Sequence, residues 1–389
     1  MISVQDALNL LHKNLPPKDE IKLQLSQSLN HIISEDIFSP MNMPPFRQSS
    51  MDGYAVCLGS KLSYNIIGEI KAGDSFAKNL IPGQAVKIFT GAAVPDSADC
   101  VVPIEITSTQ GSELFLQKPP EKGTNIRPIG QQIKKNDLAI KKGNNLNPAA
   151  IGFLAGLGIT EVKVYKKPSV GILVTGNELI NPGNEPEHGK VFESNSIMLQ
   201  AALINSGFSN LNTYQVIDDY LETKNTISKA LSENDILLIS GGISVGDYDF
   251  VKIALEKLKV STLFYKVNQK PGKPLFVGKS DNKIIFALPG NPAATLTCFY
   301  IYVLPVLQFL SGKEIKETTH EKELTEDLIV KNPRSQFLKA YFTQEHVSVL
   351  SHQDSSMLNT FAISNCLVYV PEGDYQLKKG TKVKLYPIQ

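Results

Sequence analysis

The stretch Asp235-Ile-Leu-Leu-Ile-Ser240-Gly-Gly-Ile-Ser-Val-Gly-Asp247-Tyr-Asp249 is an apolar run that breaks into a glycine-bearing polar loop. The same pattern recurs in Val170-Gly-Ile-Leu-Val-Thr175-Gly-Asn-Glu178 and in Lys283-Ile-Ile-Phe-Ala-Leu-Pro289-Gly-Asn-Pro292. Strands of a parallel α/β sheet are buried on both faces and read as continuous Val, Ile and Leu, while ligands bind beyond their carboxyl ends. The pattern therefore predicts a parallel sheet whose polar loops gather on one edge.

The bulk composition is that of an ordinary globular protein. The chain has 389 residues, with 42% hydrophobic and 20% charged side chains, and Lys+Arg 39 against Asp+Glu 38 leaves no basic footprint for nucleic acid. The four cysteines form no C-x-x-C pair, which excludes the usual signature of a zinc ribbon or a redox dithiol. The first residues lack a secretory signal, and the longest apolar stretch, 298–310, is too short to span a bilayer. We expect a cytoplasmic protein with neither a membrane nor a nucleic-acid partner.

Changes of pattern along the chain predict four domains of α/β plus β class. Residues 1–46 and 137–167 carry helical spacing and proline-rich linkers, with a helix capped near Ser3 and apolar positions continuing over 23–37. Residues 47–136 show short strands between Gly and Pro, which predicts an inserted small β domain. Residues 168–314 alternate strand and helix, as in a doubly wound α/β domain, and 315–389 read as a C-terminal β-barrel.

The glycine loop after Ser240 has the spacing of an anion-binding loop. Gly241 and Gly246 stand at G-x-x-x-x-G spacing, so that backbone N–H groups would hold an anion. Asp247 occupies the place of the Walker lysine, and Asp249 follows it. Carboxylates beside phosphates make sense mainly with a divalent cation between them, which indicates a phosphorylated or nucleotide-like ligand bound with Mg²⁺. The alternative is a tight turn whose aspartates cap the next helix.

Two further loops have both a functional and a structural interpretation. Lys270-Pro-Gly-Lys273-Pro274 holds two cations on a stiff turn, which suits a small dianion, although lysine pairs are usually solvated surface. Pro289-Gly-Asn-Pro292 either presents N–H groups to an anion or is a helix-entry turn with Pro292 in the first turn. Asp52 and Thr90 each lie in a glycine-containing turn that alone indicates no site.

Several common catalytic signatures are missing from the sequence. It contains no H-E-x-x-H, no G-x-S-x-G and no Rossmann G-x-G-x-x-G after the first strand of an α/β unit. Zinc hydrolysis, serine hydrolysis and nicotinamide chemistry therefore lose their usual evidence.

Six motifs, taken in order, resemble those of the molybdopterin molybdenumtransferase family, which includes the gephyrin E domain. They are Met-Asp-Gly-Tyr-Ala (51–55), Phe-Thr-Gly-Ala (89–92), Thr-Gly-Asn-Glu-Leu (175–179), Ser-Gly-Gly-Ile-Ser-Val-Gly-Asp (240–247), Lys-Pro-Gly-Lys-Pro (270–274) and Leu-Pro-Gly-Asn-Pro (288–292). The resemblance implies a homodimer of four-domain subunits. It also implies an Mg²⁺-dependent enzyme that inserts molybdenum from molybdate into adenylylated molybdopterin and releases AMP.

The resemblance also assigns roles to individual residues. By similarity, Glu178, Asp218 and Asp249 hold the metal, and Lys270 and Lys273 bind molybdate. Asp52 and Thr90 are implied to reach the catalytic site from the β domain of the partner subunit. The implied substrate-binding residues are Thr175, Gly176, Ser240, Gly241, Gly242, Ser244, Gly246, Asp247, Pro274, Pro289, Gly290, Asn291, Pro292, Arg334 and Ser355.

The chain departs from the family pattern at a few positions. Gln132 and Asn177 stand where carboxylates are common, and Ala294 replaces a possible hydroxyl. In the C-terminal module, where the resemblance is looser, Pro333-Arg334 stands in place of a Gly-Arg, and Lys339 stands in place of an Arg. Because the metal-binding carboxylates and both lysines of the turn remain, we expect an active enzyme with altered affinity.

Three alternatives stay open at this point. The first is a non-catalytic dimeric scaffold of the same fold, because fold does not determine function. The second is a relative that loads tungstate, and the third is a pterin adenylyltransferase, which the extra β domain and barrel disfavour. Since no fused adenylyltransferase domain is visible, we expect contact with a separate molybdopterin adenylyltransferase that supplies the substrate.

Overall fold

A computed structural model describes residues 1–75, 78–243, 250–314 and 319–388. The chain divides into two compact units. The large unit comprises 1–21, 30–32 and 164–389, and the small unit comprises 22–29 and 33–163. This division is coarser than the four predicted domains, whose boundaries stay predictions.

The described residues up to 165 form two α-helices and mostly short strands. In chain order they are α1 Val4–Lys13, β1 Glu20–Gln24, β2 Ile37–Phe38, β3 Gln48–Ser49, β4 Gly53–Val56, β5 Ser63–Ile70, β6 Gln84–Ile88, β7 Cys100–Pro103, β8 Thr107–Gln110, β9 Glu113–Leu116, β10 Ile126–Arg127, β11 Leu138–Ile140, α2 Pro148–Gly156 and β12 Glu161–Tyr165.

The predicted cap of the first helix is confirmed, but the helical pattern predicted over 23–37 is wrong. Ser3 caps α1, because its hydroxyl oxygen accepts a hydrogen bond from the N–H of Asp6 at 3.0 Å. Strand β1 follows, with exposed and half-buried residues in alternation, and only a single 3-10 turn, Leu25–Gln27, comes next. Ile21, Leu23 and Leu25 recur every second residue, which is the period of a strand and not of a helix.

The small unit is built around a six-stranded sheet in the order β7-β4-β6-β5-β9-β8. Both faces of this sheet are covered. In β4, Tyr54 and Val56 face one apolar cluster, while Ala55 faces the other. Strand β4 also lies close to its paired strand β7. A Cβ added at Gly53 would lie 2.0 Å from the carbonyl oxygen of Val102 in β7, so the site has no space for a side chain.

The large unit continues with an α/β region and a β-rich region. Its elements are β13 Val170–Thr175, β14 Leu179–Ile180, β15 Val191–Phe192, α3 Asn195–Asn205, β16 Leu211–Val216, α4 Tyr220–Glu233, β17 Ile236–Ser240, α5 Phe250–Lys257, β18 Ser261–Tyr265, β19 Gln269–Lys270, β20 Phe276–Ser280, β21 Lys283–Leu288, α6 Pro292–Cys298, α7 Leu304–Leu310, β22 His320–Leu324, β23 Leu328–Asn332, β24 Ser335–Phe342, β25 His346–Val349, α8 Leu358–Ala362, β26 Cys366–Val370, β27 Gly373–Leu377 and β28 Lys382–Pro387.

The central sheet has the order β16-β13-β17-β21-β20-β18, and its first four strands are parallel, as the sequence predicts. Strand β20 runs antiparallel to both of its neighbours, β21 and β18, and was not predicted. Ser280 pairs with Lys283, so that only Asp281 and Asn282 connect β20 to β21, and Asp281 has φ +51°. A two-residue turn of this kind makes a hairpin, because it is too short for the crossover that parallel strands need.

The C-terminal region contains a closed barrel. Strands β24, β25, β22, β28 and β26 are paired in sequence, and β26 pairs again with β24, which closes the ring of five strands. Its core includes Leu338, Val347 and Val368. The predicted barrel is thus confirmed. Strands β22 and β27 were missed because their charged and polar residues hide the alternation, and β23 was missed because its first three residues, 328–330, are all apolar and do not alternate.

One apolar helix is longer than the sequence suggested. The helix Pro292–Leu310, made of α6, a π turn and α7, has 19 residues, a mean hydropathy of 1.7 in its most apolar window, and sufficient length to cross a membrane. However, 67% of that window is buried inside the protein, as expected for a core helix. Phe299, Tyr302 and Leu307 all lie in the main apolar cluster of the large unit.

We predict opposite effects on stability for two glycine substitutions in the small unit. Gly53→Ala destabilises the unit by on the order of 2–3 kcal/mol, because the new methyl group meets the Val102 carbonyl. Gly152→Ala, at an exposed position of α2 with no atom within 4 Å of the added Cβ, stabilises it by about 0.5–1 kcal/mol. Urea unfolding of both variants measures the difference, and similar midpoints would contradict the packing described for β4.

Candidate active site

Four parallel strands end at one edge of the central sheet. Val174 is the register partner of Ser240, and Ser240 is the register partner of Leu288. On the other side of β13, Thr175 is opposite Val216. The loops that follow these strands therefore leave the sheet at the same edge, which is where the sequence predicted a site.

Asp218 is held at this edge by two residues of the neighbouring loop. The Thr175 hydroxyl donates to Asp218 Oδ1 at 2.7 Å, and the N–H of Asn177 donates to Asp218 Oδ2 at 3.2 Å. In return, the N–H of Asp218 donates to Asn177 Oδ1 at 3.1 Å. Asn177, which the sequence marked as a missing carboxylate, thus orients Asp218 without adding a second negative charge beside it.

The two predicted metal-binding carboxylates in the described part of the chain fit a hard cation. Each oxygen of Asp218 accepts one hydrogen bond, so that lone pairs remain free for a metal. Glu178 is exposed, its carboxylate lies 2.6 Å from where a Cβ on Gly176 would be, and that carboxylate has no hydrogen-bond or ion-pair partner among the described residues. Oxygen donors of this kind are the ligands Mg²⁺ prefers. Asp249 lies outside the described residues, within which no group of three His, Cys, Asp or Glu side chains could hold a metal.

The start of the glycine loop requires its glycines for reasons of space. Gly241 has φ +95°, and a Cβ there would lie 2.5 Å from the carbonyl oxygen of Thr175. At Gly242 the added atom would lie 2.6 Å from a methyl group of Val251 in α5. The described start of the loop therefore lies closely packed between β13 and α5. The remaining predicted residues of the loop, Ser244, Gly246, Asp247 and Asp249, lie outside the described residues, and the anion-binding role stays a prediction.

A strand pairing brings the lysine turn to the C-terminal region. Strand β19 runs parallel to the start of β24, with Gln269 opposite Ser335 and Lys270 opposite Gln336. The N–H of Ser335 also donates to the carbonyl of Asn268 at 3.1 Å. Because Arg334 directly precedes Ser335, the pairing places the backbone of this predicted cation beside the turn.

The two lysines of this turn are exposed. Neither the Lys270 nor the Lys273 ammonium group has a hydrogen-bond or ion-pair partner among the described residues. Pro274, the last residue of the turn, is half-buried. Both cations are therefore accessible to an anion, which agrees with the role that the sequence suggested.

A loop of the C-terminal region caps the helix that follows β21. The Ser355 hydroxyl accepts from Asn291 Nδ2 at 2.8 Å, and its carbonyl oxygen accepts from the N–H groups of Ala293 and Ala294 at 3.1 and 3.3 Å. Pro292 lies in the first turn of α6, and the carbonyl of Pro289 accepts a hydrogen bond from Thr295. The helix-entry interpretation of this loop is confirmed. Two of the donors expected to face an anion instead bind a protein carbonyl, and a ligand role for Gly290 stays a prediction.

Lys339 organises the loop that carries Ser355, a role the sequence did not suggest. Only 3% of this residue is exposed, and its ammonium group donates to the carbonyls of His352, Asp354 and Met357 at 2.9, 3.2 and 3.0 Å. Burial lowers the pKa of this lysine. The signal in the sequence is a lysine within the apolar run 337–340, which indicates a buried cation with local acceptors.

Asn195 is a second residue that sequence reasoning missed. It begins α3, and its Nδ2 atom donates both to Ser240 Oγ and to the carbonyl of Gly290, each at 2.8 Å. It thereby joins the end of β17 to the loop after β21. The Ser-Asn-Ser sequence at 194–196 indicated only the start of a helix.

Within the small unit, the structure brings Asp52 and Thr90 together. The N–H and the hydroxyl of Thr90 both donate to Asp52 Oδ1 at 2.7 Å. The hydrogen bonds from the Thr90 side chain and backbone hold the pKa of this exposed carboxyl below its ordinary value of 3.8. Asp52 is therefore ionised and oriented at neutral pH.

Comparison with known proteins assigns almost the whole chain to one family. Residues 2–158 match the MoeA N-terminal region (domain I and II), 171–308 match a "Probable molybdopterin binding domain", and 322–388 match the MoeA C-terminal region (domain IV). The chain is 33% identical to the molybdopterin molybdenumtransferase of Haemophilus influenzae, over 100% of this chain and 98% of that one. It is also 33% identical to the enzyme of the same name from Staphylococcus aureus (strain Mu50), over 99% of this chain and 95% of that one.

The fold agrees with these sequence matches. The crystal structure of the molybdopterin biosynthesis MoeA protein from Pyrococcus horikosii superposes with a TM-score of 0.86 and 29% identity, covering 100% of this chain and 99% of that chain. The resemblance predicted from the six motifs is confirmed, and the chain belongs to the MoeA family of molybdopterin molybdenumtransferases.

Proposed function

We propose that this chain inserts molybdenum from molybdate into adenylylated molybdopterin and releases AMP. The observation that carries the proposal is the pairing of β19 with β24, which sets Lys270 beside the strand that follows Arg334. The lysine turn thereby forms a cationic region in the same unit as the sheet edge that carries Glu178 and Asp218. The reaction needs cations to bind the molybdate oxyanion, and it needs carboxylates to hold a metal ion beside the pyrophosphate of the other substrate.

The lysine turn suits molybdate because the anion is compact and doubly charged. Each ammonium group offers three N–H donors. Pro271 and Pro274 limit the backbone freedom of the turn, so that less order has to be gained when the anion binds.

The acidic residues suit a magnesium ion and the pyrophosphate of the substrate. Glu178 and Asp218 would hold the ion, with Asp249 as the expected third ligand. Bound there, Mg²⁺ would neutralise charge on the pyrophosphate while water attacks its P–O–P bond, which leaves the phosphate on the pterin and AMP free. Thr175 and Asn177 keep the Asp218 carboxylate oriented for this purpose. Without the cation, the same carboxylates would repel the phosphates, so we propose a strict requirement for metal.

We further propose a cytoplasmic homodimer that receives its substrate from a separate molybdopterin adenylyltransferase. Membership of the chain in the family is what suggests each of these properties. The role of Asp52 and Thr90 in the partner subunit's catalysis stays a prediction. Light scattering of the purified chain tests the dimer, and a monomeric mass would contradict it.

A non-catalytic scaffold is less well supported, because the two lysines and the oriented Asp218 serve no evident purpose in a scaffold. Tungstate has nearly the size and charge of molybdate, and the described residues contain no feature that separates them. Competition between the two anions in the assay below measures the preference.

The first test is AMP release from adenylylated molybdopterin by the purified chain. We expect release that requires both molybdate and Mg²⁺, because the anion is a substrate and the metal lowers the charge on the pyrophosphate. EDTA treatment followed by Mg²⁺ addition should abolish and restore release. Absence of release from an intact dimer that still binds the pterin would move the conclusion to a scaffold or binding role.

Removal of either turn lysine should weaken molybdate binding. Lys270→Ala and Lys273→Ala each raise the KM for molybdate by about tenfold or more, since each deletes charge-assisted hydrogen bonds to the anion. The matched control is Lys229→Ala, an exposed lysine on α4. Steady-state kinetics at varied molybdate provide the measurement, and an equal effect of the control would show that general charge, not the turn, attracts the anion.

Asp218 and its neighbour Asp219 should respond differently to loss of charge. Asp218→Asn raises the Mg²⁺ concentration for half-maximal activity by about tenfold, because an amide is a poorer ligand for a hard cation. Asp219→Asn leaves it unchanged, because Asp219 caps α4 by accepting from the N–H of Glu222 at 2.9 Å and asparagine caps equally well. A shift in Asp219→Asn alone would mean that the ligand is wrongly assigned.

A further inference from the structure

Gln269 lies immediately before the lysine turn and is completely buried. Its Nε2 atom donates to the carbonyl of Pro271, inside the turn, at 3.0 Å. Its Oε1 atom accepts from the hydroxyl of Tyr302 at 2.5 Å. The side chain therefore connects the backbone of the turn to the apolar core helix that contains Tyr302.

The core helix presents a closely fitted surface to the turn. Tyr302 and Cys298 are both fully buried, and Nε2 of Gln269 lies 3.6 Å from the Cys298 sulfur. A Cβ added at Gly272 would lie 2.6 Å from that sulfur and 2.7 Å from Nε2 of Gln269. The middle of the turn thus rests directly on the carboxamide and the thiol, with no space for a side chain.

Buried polar groups in this arrangement depend on one another. A buried carbonyl or hydroxyl that loses its partner costs free energy, so the position of the turn is coupled to that of Gln269. The lysine side chains supply no such restraint, because their ammonium groups have no partner among the described residues. The position of the backbone therefore determines the points from which the two lysine side chains extend.

We infer that Gln269 is a positioning residue for molybdate binding: it holds the turn of Lys270 and Lys273 against the core helix, so that both ammonium groups converge on one anion. This inference rests on the function proposed above. Gln269 does not touch the anion in this scheme. It acts through the carbonyl of Pro271, and the sequence alone did not assign it a role.

The test compares two single substitutions in the wild-type chain, each of which removes a buried carboxamide. Gln269→Ala raises the KM for molybdate by about tenfold, with kcat at saturating molybdate within about threefold, because a displaced turn weakens capture of the anion. The control is Asn234→Ala at the opposite end of β17, where Nδ2 donates to the Tyr214 hydroxyl at 2.9 Å and to the Ala230 carbonyl at 2.8 Å. It loses a comparable network, and its KM for molybdate should not change.

A second pair of variants, with smaller changes, tests the inference even if the alanine variants fail to fold. Tyr302→Phe removes the hydroxyl that binds Gln269 and should raise the KM for molybdate in the same direction, by about threefold. Tyr214→Phe is its control. Hydrogen exchange gives a readout that is independent of activity. The N–H groups of Val267 and Leu275 both donate to the carbonyl of Lys273, so they should exchange faster in Gln269→Ala and Tyr302→Phe only.

The outcomes separate this inference from the proposed function. If the wild-type chain shows molybdate-dependent AMP release, and Gln269→Ala and Tyr302→Phe have the same KM for molybdate as the wild-type chain, the positioning role is wrong and the function stands. If Asn234→Ala raises the KM as much as Gln269→Ala, the cause is general loosening and the inference also fails. A wild-type chain that neither releases AMP nor binds molybdate in equilibrium dialysis overturns both.

Discussion

The register of the four parallel strands is the constraint on which the rest of the large unit depends. Val174, Ser240 and Leu288 are paired across three strands, and all three strands are buried on both faces. A shift by one residue would turn every side chain to the opposite face, which the apolar clusters on both sides do not allow. The loops that follow must therefore leave the sheet together, and polar residues distant in the sequence become neighbours.

The C-terminal barrel contributes to this edge through two separate contacts. One is the short parallel pairing of β19 with β24 beside the lysine turn, and the other is the cap that Ser355 places on α6. Lys339, on strand β24 of the barrel, holds the Ser355 loop through its ammonium group. The first contact joins the lysine turn to a strand of the barrel. The second joins the start of α6 to a loop that the buried Lys339 holds in place. The loops thereby acquire a restraint that their own polar sequence does not provide.

The predicted site residues of the large unit are grouped by the sign of their charge. Carboxylates follow β13 and β16, and accessible cations lie on the turn after β19. Neutral donors from Thr175 and Asn177 orient the acidic side, whereas the core helix and Gln269 hold the basic side through the backbone. An acidic side that is oriented and a basic side that is held through its backbone suit the insertion of molybdenum from molybdate, because less reorganisation is needed when the substrates bind.

The sequence by itself determined the parallel strands of the central sheet, the positions of the glycine-bearing loops and the lysine turn, because these depend on local pattern: continuous apolar runs, glycine where space is short, and proline where freedom is limited. Its six motifs also indicated the family. The tertiary structure alone decided the pairing of β19 with β24, the capping of α6 by Ser355, and the roles of Lys339 and Gln269. These contacts join residues far apart in the chain, and a two-residue strand or a single buried polar side chain carries no periodic signal that would name its partner.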